Sequence, residues 1–141
     1  MTLVEFLNAR LDEDEKAAKA ATPGKWGAQP GPTPYVLNDE WEVVTDAYKP
    51  SEPGHHVVYT GYEGGGVTSE QNAVHIARNS PTRTLREVAA KRQAIVEAQE
   101  ANELVSERFR LPIDQGVSGY MLRLIAVSYA DHPDYQEAWK P

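Results

Sequence analysis

The chain has 141 residues, 40% of them hydrophobic and 25% charged, with a formal net charge of -7 and no cysteine. This is folded globular material rather than a disordered tail, and without cysteine there are no disulfides, thiolate metal ligands or cysteine nucleophiles. The acidic balance opposes general affinity for nucleic acid, which depends on neutralising phosphates with Lys and Arg. No apolar run reaches membrane-spanning length and Met1–Phe6 lacks a basic region ahead of an apolar core, so a cytoplasmic protein without membrane association is expected.

Thr2-Leu3-Val4-Glu5 matches a capping box, and Leu3, Val4, Phe6, Leu7, Leu11 and Ala18 recur near helical spacing, which predicts a first helix ending near Ala21. Thr22-Pro23-Gly24 breaks it, and Trp26 follows as a lone aromatic able to fold back on that helix. Three prolines between Pro30 and Pro34 remove donors and fix φ, so residues 22–34 read as a Pro/Gly-rich loop or stiff linker. Strand character follows at Tyr35–Leu37, after a turn at Asn38-Asp39 again at Trp41–Thr45, and beyond a second break at Lys49–Gly54 in His55–Tyr62. About three such strands predict a small antiparallel sheet, stable when covered by helices.

From Gly64-Gly65-Gly66 onward the pattern is helical. With Thr68 or Ser69 as cap, a second helix is expected over Glu70 to Arg78 or Asn79. Ser80-Pro81 then restarts the chain as a long third helix reaching about Val105, since serine caps and proline already holds the helical φ. Leu85, Val88, Ala89, Ile95 and Val96 form its apolar stripe, for which the sheet is the expected partner. After Leu111-Pro112, a helix from Val117 to Tyr129 carries Val117, Tyr120, Met121, Leu124 and Ile125 at helical spacing. Pro133 opens a terminal turn towards Trp139. The expectation is a single α+β domain over 1–141: an N-terminal helix, a sheet of about three antiparallel strands, two to four helices packed on it, and a docking segment at 130–141.

Charge is unevenly spread. Asp12, Glu13, Asp14 and Glu15 stand against Arg10 alone, whereas Arg78, Arg83, Arg86, Lys91 and Arg92 surround only Glu87. Runs of this size usually mark solvated helix faces, and the two can pair with one another.

Several segments resemble a domain of unknown function shared by actinobacterial and actinophage proteins. The resemblance is carried by Phe6-Leu7-Asn8-Ala9-Arg10-Leu11-Asp12-Glu13-Asp14-Glu15, Ala21-Thr22-Pro23-Gly24-Lys25-Trp26, His75-Ile76-Ala77-Arg78 with Pro81 and Leu85-Arg86-Glu87-Val88, and Tyr129-Ala130-Asp131-His132-Pro133-Asp134-Tyr135 with Trp139. It covers most of the chain but little of Gln29 to Gly66. It implies no established activity; occurrence in phages and bacterial genomes implies an accessory role on a mobile element.

The four histidines, His55, His56, His75 and His132, are the available nitrogen ligands. Adjacent strand residues point to opposite faces, so His55 and His56 do not share a metal in a regular strand, and no helix carries His-x-x-x-His or His-Glu-x-x-His. Neither a metal nor a cofactor is expected, and His75 reads as a helix residue packed beside the sheet. Gly64, Gly65 and Gly66 between a strand and a helix resemble a phosphate cradle without its fingerprint; His75, Arg78, Arg83 and Arg86 follow as possible ligand-binding partners. Ser69, Ser80, Ser118, Ser128 and Asp131-His132 supply hydrolase residue types without a nucleophile elbow, and caps and turns explain them more simply.

Trp26, Trp41, Trp139, Tyr35, Tyr62, Tyr135 and His132 are candidates for an interaction surface if exposed. The function expected first is therefore a non-enzymatic interaction protein, phage- or prophage-encoded, binding a host or self protein. It includes a possible homodimer in which the acidic first helix of one subunit faces Arg83, Arg86 and Arg92 of the other. The alternatives are a binder of a small anionic ligand or signalling nucleotide, and a small hydrolase or metal-dependent enzyme centred on His55, His75 or His132. Nucleic acid is not an expected partner.

Overall fold

The computed structural model describes residues 1–32, 40–61, 64–109 and 116–141, without the side chains of 105–109. In chain order the described elements are α1 (Leu3–Ala20), β1 (Trp26–Pro30), β2 (Trp41–Thr45), β3 (His56–Val58), α2 (Glu70–Arg78), α3 (Pro81–Phe109) and α4 (Gly116–Ala126), with single 3₁₀ turns at Val127–Tyr129 and Glu137–Trp139. The chain is an α+β protein. It divides into two compact units, Met1–Glu15 with Glu87–Pro141, and Lys16–Arg86.

The first unit is helical. The capping box forms reciprocally: Thr2 Oγ1 accepts from the Glu5 N–H at 3.2 Å, and Glu5 Oε2 accepts from the Thr2 N–H at 2.7 Å. Leu3, Phe6, Leu7 and Leu11 of α1 are buried with Val88, Ile95 and Ala98 of α3, Leu122 and Ala126 of α4, and Trp139. Phe6 sits at the centre of an aromatic cluster, its ring centroid 4.8 Å from Trp139, 6.0 Å from Tyr135 and 6.4 Å from Tyr129. Residues 130–141 thus contribute Tyr135 and Trp139 to this core.

Two stripes differ from expectation. On α3 the buried positions Val88, Ile95, Ala98 and Asn102 follow one another at steps of seven, three and four residues, a narrow seam that leaves Ala89 outside and Val96 44% exposed. Val88 and Ile95 belong to this helical core. On α4, Gly119, Leu122 and Ala126 face inward, and Val117, Tyr120, Met121 and Leu124 face solvent. Helical spacing identifies an apolar face but does not say which side a partner occupies.

The second unit holds the sheet, in the order β1-β2-β3, antiparallel throughout. Trp26 pairs with Thr45, Ala28 with Val43 and Pro30 with Trp41, so Trp26, Ala28 and Val43 share one face. Ala73, Ile76 and Ala77 of α2 pack on that face with Val43, Val67, Trp41, Val57 and Val58. Within this unit α2 is the helix that covers the sheet.

Residues 26–30, expected inside a Pro/Gly-rich loop, are therefore strand β1. Among the described residues β1 is an edge strand and Pro30 is its last residue, where a missing N–H costs no ladder bond. The next donor, the Gly31 N–H, reaches the Glu40 carbonyl at 2.9 Å. The strand expected at Tyr35–Leu37 and the turn at Asn38-Asp39 lie outside the described residues, as does Tyr62. Strand β3 is shorter than expected because its register shifts against Val43 and Val44, and because the Thr60 N–H turns to the Glu42 carboxylate at 3.0 Å instead of the ladder.

Candidate functional site: a basic groove beside the sheet

Within the second unit, an open groove of about 490 Å³ runs between the start of β1, the end of α2 and the first turns of α3. Trp26, Ala28, Val74 and Ala77 give it apolar walls; Lys25, Arg78, Ser80, Arg83 and Arg86 give it polar ones. Four of these nine residues are cationic and none is acidic, in a chain whose net charge is -7.

Local sequence explains why these side chains meet. Ser69 caps α2 by accepting from the Asn72 N–H at 3.2 Å. At the other end, the Asn79 side chain donates to the His75 carbonyl at 2.8 Å, and its backbone N–H to Ile76 at 3.0 Å. The chain restarts at once: the Ser80 carbonyl accepts from the N–H groups of Arg83 at 2.9 Å and Thr84 at 3.0 Å, with Pro81 as the first helical residue. Arg78 and Arg83 are thereby brought to one junction, where Arg83 Nη1 donates to the Arg78 carbonyl at 3.3 Å. One turn further along α3, Arg86 Nε donates to the Thr82 carbonyl at 3.3 Å.

The opposite wall is fixed through Gly24. Its φ of +99° is a conformation that favours glycine, and a Cβ there would lie 2.7 Å from Asp46 Oδ1 and 2.8 Å from Ala47 Cβ. That close approach lets the Thr45 hydroxyl donate to the Pro23 carbonyl, the Lys25 N–H to Asp46 Oδ1 at 2.7 Å, and the Thr82 hydroxyl to the Gly24 carbonyl at 2.9 Å. The Thr82 bond ties the start of β1 to the start of α3. Trp26 is held as well, its indole N–H donating to the Thr22 carbonyl at 2.9 Å. Its ring packs with the sheet and α2 cluster.

Arg78, Arg83 and Arg86 meet in the groove, joined by Trp26. His75 does not line it; its side chain is exposed on α2, not packed beside the sheet. Gly64, Gly65 and Gly66 also stand apart from it. All three have positive φ, and a Cβ on Gly66 would lie 2.9 Å from the Trp41 carbonyl oxygen. The glycines bring the chain back beside the sheet, where Trp41 and Val67 exchange backbone hydrogen bonds of 2.8 Å in each direction.

Among the described residues, the remaining aromatic candidates are held in packing. Trp41 packs with the sheet cluster, Trp139 is 7% exposed in the helical core, and Tyr135 packs against that core. His132 lies against Arg10, whose Nη1 is 2.6 Å from His132 Nδ1. His56 Nε2 is 3.4 Å from Glu42 Oε2, and His55 Nδ1 is 3.3 Å from the Tyr48 carbonyl oxygen. Among the described residues, no three His, Asp or Glu side chains are grouped as a metal site would need, and no helix is long and apolar enough to cross a membrane.

Three residues gained importance only in three dimensions. Lys25 is a groove cation whose sequence cue is slight, a lysine between a Pro-Gly break and a tryptophan. Arg10 is 7% exposed: Nη2 donates to Glu13 Oε1 at 2.9 Å, Asp134 Oδ2 lies 3.7 Å from Nη1, and the guanidinium stands 5.3 Å from the Phe6 ring centre. Glu42 is 2% exposed on the sheet face opposite α2. Burial opposes its charge, but bonds from the Thr60 N–H, Gln29 and the Thr60 hydroxyl, with His56 nearby, outweigh burial and hold its carboxyl below the ordinary value.

A family of unknown function (DUF6221) matches residues 1–141. The chain belongs to the DUF6221 family. No curated protein and no solved structure matches it. Any function for this DUF6221 chain is therefore argued from its own geometry, and the basic groove is where chemically specific side chains converge on open space.

Proposed function

We propose that the chain is a non-enzymatic binding protein for a small anionic ligand, held in the groove lined by Lys25, Trp26, Arg78, Arg83 and Arg86. One observation carries this reading: four cationic residues and no acidic one line a single groove of an acidic chain. Guanidinium groups suit the task because each presents a planar fork of donors to phosphate or carboxylate oxygens. The groove lies in the size range of small-ligand sites, roughly 300–1,000 Å³. Serine side chains used locally favour binding over hydrolysis: Ser69 caps α2 and the Ser128 hydroxyl donates to the Ile125 carbonyl at 2.8 Å.

Calorimetric titration with inorganic tripolyphosphate, pyrophosphate and citrate tests the proposal. At least one should bind with micromolar affinity that weakens as salt rises, and Arg78→Ala/Arg86→Ala should lower that affinity about tenfold or more. Absence of binding across the panel at low salt would sink the reading.

A second reading, a partner of protein nature, is favoured by the outward face of α4. Val117 is 81% exposed there, and Tyr120, Met121, Leu124 and Val127 are exposed beside it. A homodimer is the simplest version, tested by the mass in solution of the chain and of Met121→Lys/Leu124→Lys; an unchanged monomer mass in both removes it. The resemblance to actinobacterial and actinophage proteins supports placing either function in a phage- or prophage-encoded accessory protein.

A further inference from the structure

We infer that the groove's ligand is a nucleotide bearing at least two phosphates, its base against the Trp26 indole and its phosphates on Arg78, Arg83 and Arg86; this rests on the anionic-ligand reading above. Charge alone would suit any polyanion, so the apolar half of the groove decides the ligand class. Trp26 lines the groove with its ring held by the 2.9 Å bond to Thr22, and Ala28, Val74 and Ala77 continue that apolar surface. A ring so fixed loses little freedom when a second planar ring packs on it, and such stacking is tolerant of which base is offered.

The cations are arranged for more than one phosphate. Arg83 and Arg86 are three residues apart and so neighbours on one face of α3, while Arg78 ends α2 beside them. The 29-residue helix α3 points its N-terminus at the same junction, where Ser80 also lines the groove. The dipole of α3 favours an anion there, although Pro81 has no N–H and those of Arg83 and Thr84 already bond the Ser80 carbonyl. At about 490 Å³ the groove is far larger than a lone phosphate requires, and its lining of both apolar and cationic side chains suits a base with a diphosphate or triphosphate. Lys25, next to Trp26 in the chain, adds a fourth cation to the lining.

The test is calorimetry on the full chain with ATP, GTP, ADP, adenosine and inorganic tripolyphosphate, repeated on Trp26→Leu and Trp26→Phe. ATP or GTP should bind about tenfold tighter than tripolyphosphate, adenosine should give no measurable binding, and Trp26→Leu should erase the margin while leaving tripolyphosphate affinity within about twofold. Trp26→Phe keeps a ring and should keep most of the margin, which separates lost stacking from a damaged fold. Equal affinity for tripolyphosphate and nucleotides would overturn the nucleotide and leave the anionic groove standing. Failure of both to bind would overturn both. A margin that survives Trp26→Leu in folded protein would overturn the assignment of the base to Trp26, and a thymidine oligonucleotide, titrated alongside, that bound more tightly than any mononucleotide would overturn the mononucleotide as the ligand.

Discussion

The two compact units treat positive charge differently. In the helical unit, the end of the basic run is matched by the acidic run of α1: Arg92 Nη2 reaches Asp12 Oδ1 at 2.6 Å, and Nη1 reaches Glu15 Oε2 at 2.7 Å. Arg10 is enclosed by His132, Glu13 and Phe6, and the Lys91 ammonium lies 5.1 Å from the Tyr129 ring centre. In the sheet unit, the beginning of the same basic run lines a groove, and the side chains of Lys25 and Arg78 have no charged partner among the described residues. A paired cation is accounted for by folding. For Lys25 and Arg78 folding gives no such account, and their repulsion with the neighbouring arginines is relieved by an anion.

The first way to break this comparison is to truncate the enclosed cation. Arg10→Ala should cost about 2–3 kcal/mol, since it removes charged hydrogen bonds and the side-chain stem packed on Phe6. Chemical denaturation with a helical signal measures this, and Arg10→Met, which keeps much of the stem, should recover part of the loss. A change within about 0.5 kcal/mol, the size expected of an ordinary surface substitution, would mean that Arg10 is no more structural than a groove arginine.

A smaller effect tests whether burial, rather than membership of one unit, makes a charge structural. Glu42 belongs to the sheet unit yet is buried and bonded. Its carboxyl is held below the ordinary value of 4.5, so the folded state binds fewer protons than the unfolded one near that value. The associated stability is present above pH 4.5 and is lost as pH falls through the lower folded value. Glu42→Gln should cost about 1–2 kcal/mol at neutral pH by leaving donors such as the Thr60 N–H poorly matched, and should flatten the acid limb of a stability profile. An acid limb identical to that of the unchanged chain would remove Glu42 from the structural set.

Much of the fold was legible in the sequence because local rules governed it. The Thr2–Glu5 capping box, the Ser69 cap and the Asn79-Ser80-Pro81 stop and restart depend on neighbours within four residues, and each occurs where expected. Strand β1 was missed because its evidence is non-local: Trp26 and Ala28 become strand residues by facing α2, and Pro30 is tolerated at an edge. The α4 stripe shows the complementary limit, because Met121 and Leu124 have core-like chemistry without a described core around them. For the site, the basic run identified Arg78, Arg83 and Arg86 by composition. Separating them from Arg92 required knowing that Arg92 meets Asp12 and Glu15, a pairing between residues 77 or more positions apart in the chain.

The sharpest contrast with Arg10→Ala is the same substitution in the groove, and its expected effect on stability is the smallest. Arg78→Ala removes an exposed guanidinium whose backbone carbonyl, not its side chain, serves the junction through Arg83. Ending a helix in alanine instead of arginine sacrifices a favourable interaction with the helix C-terminus, a few tenths of a kcal/mol, while relief of repulsion from Arg83 and Arg86 works in the opposite direction. The net change should fall within about 0.5 kcal/mol. At high salt, which weakens both effects, it should move still closer to zero. Denaturation at low and high salt checks this: a loss of about 2 kcal/mol in both would assign Arg78 to folding, and the groove would then lose the cation that most clearly distinguishes it from the paired charges of the helical unit.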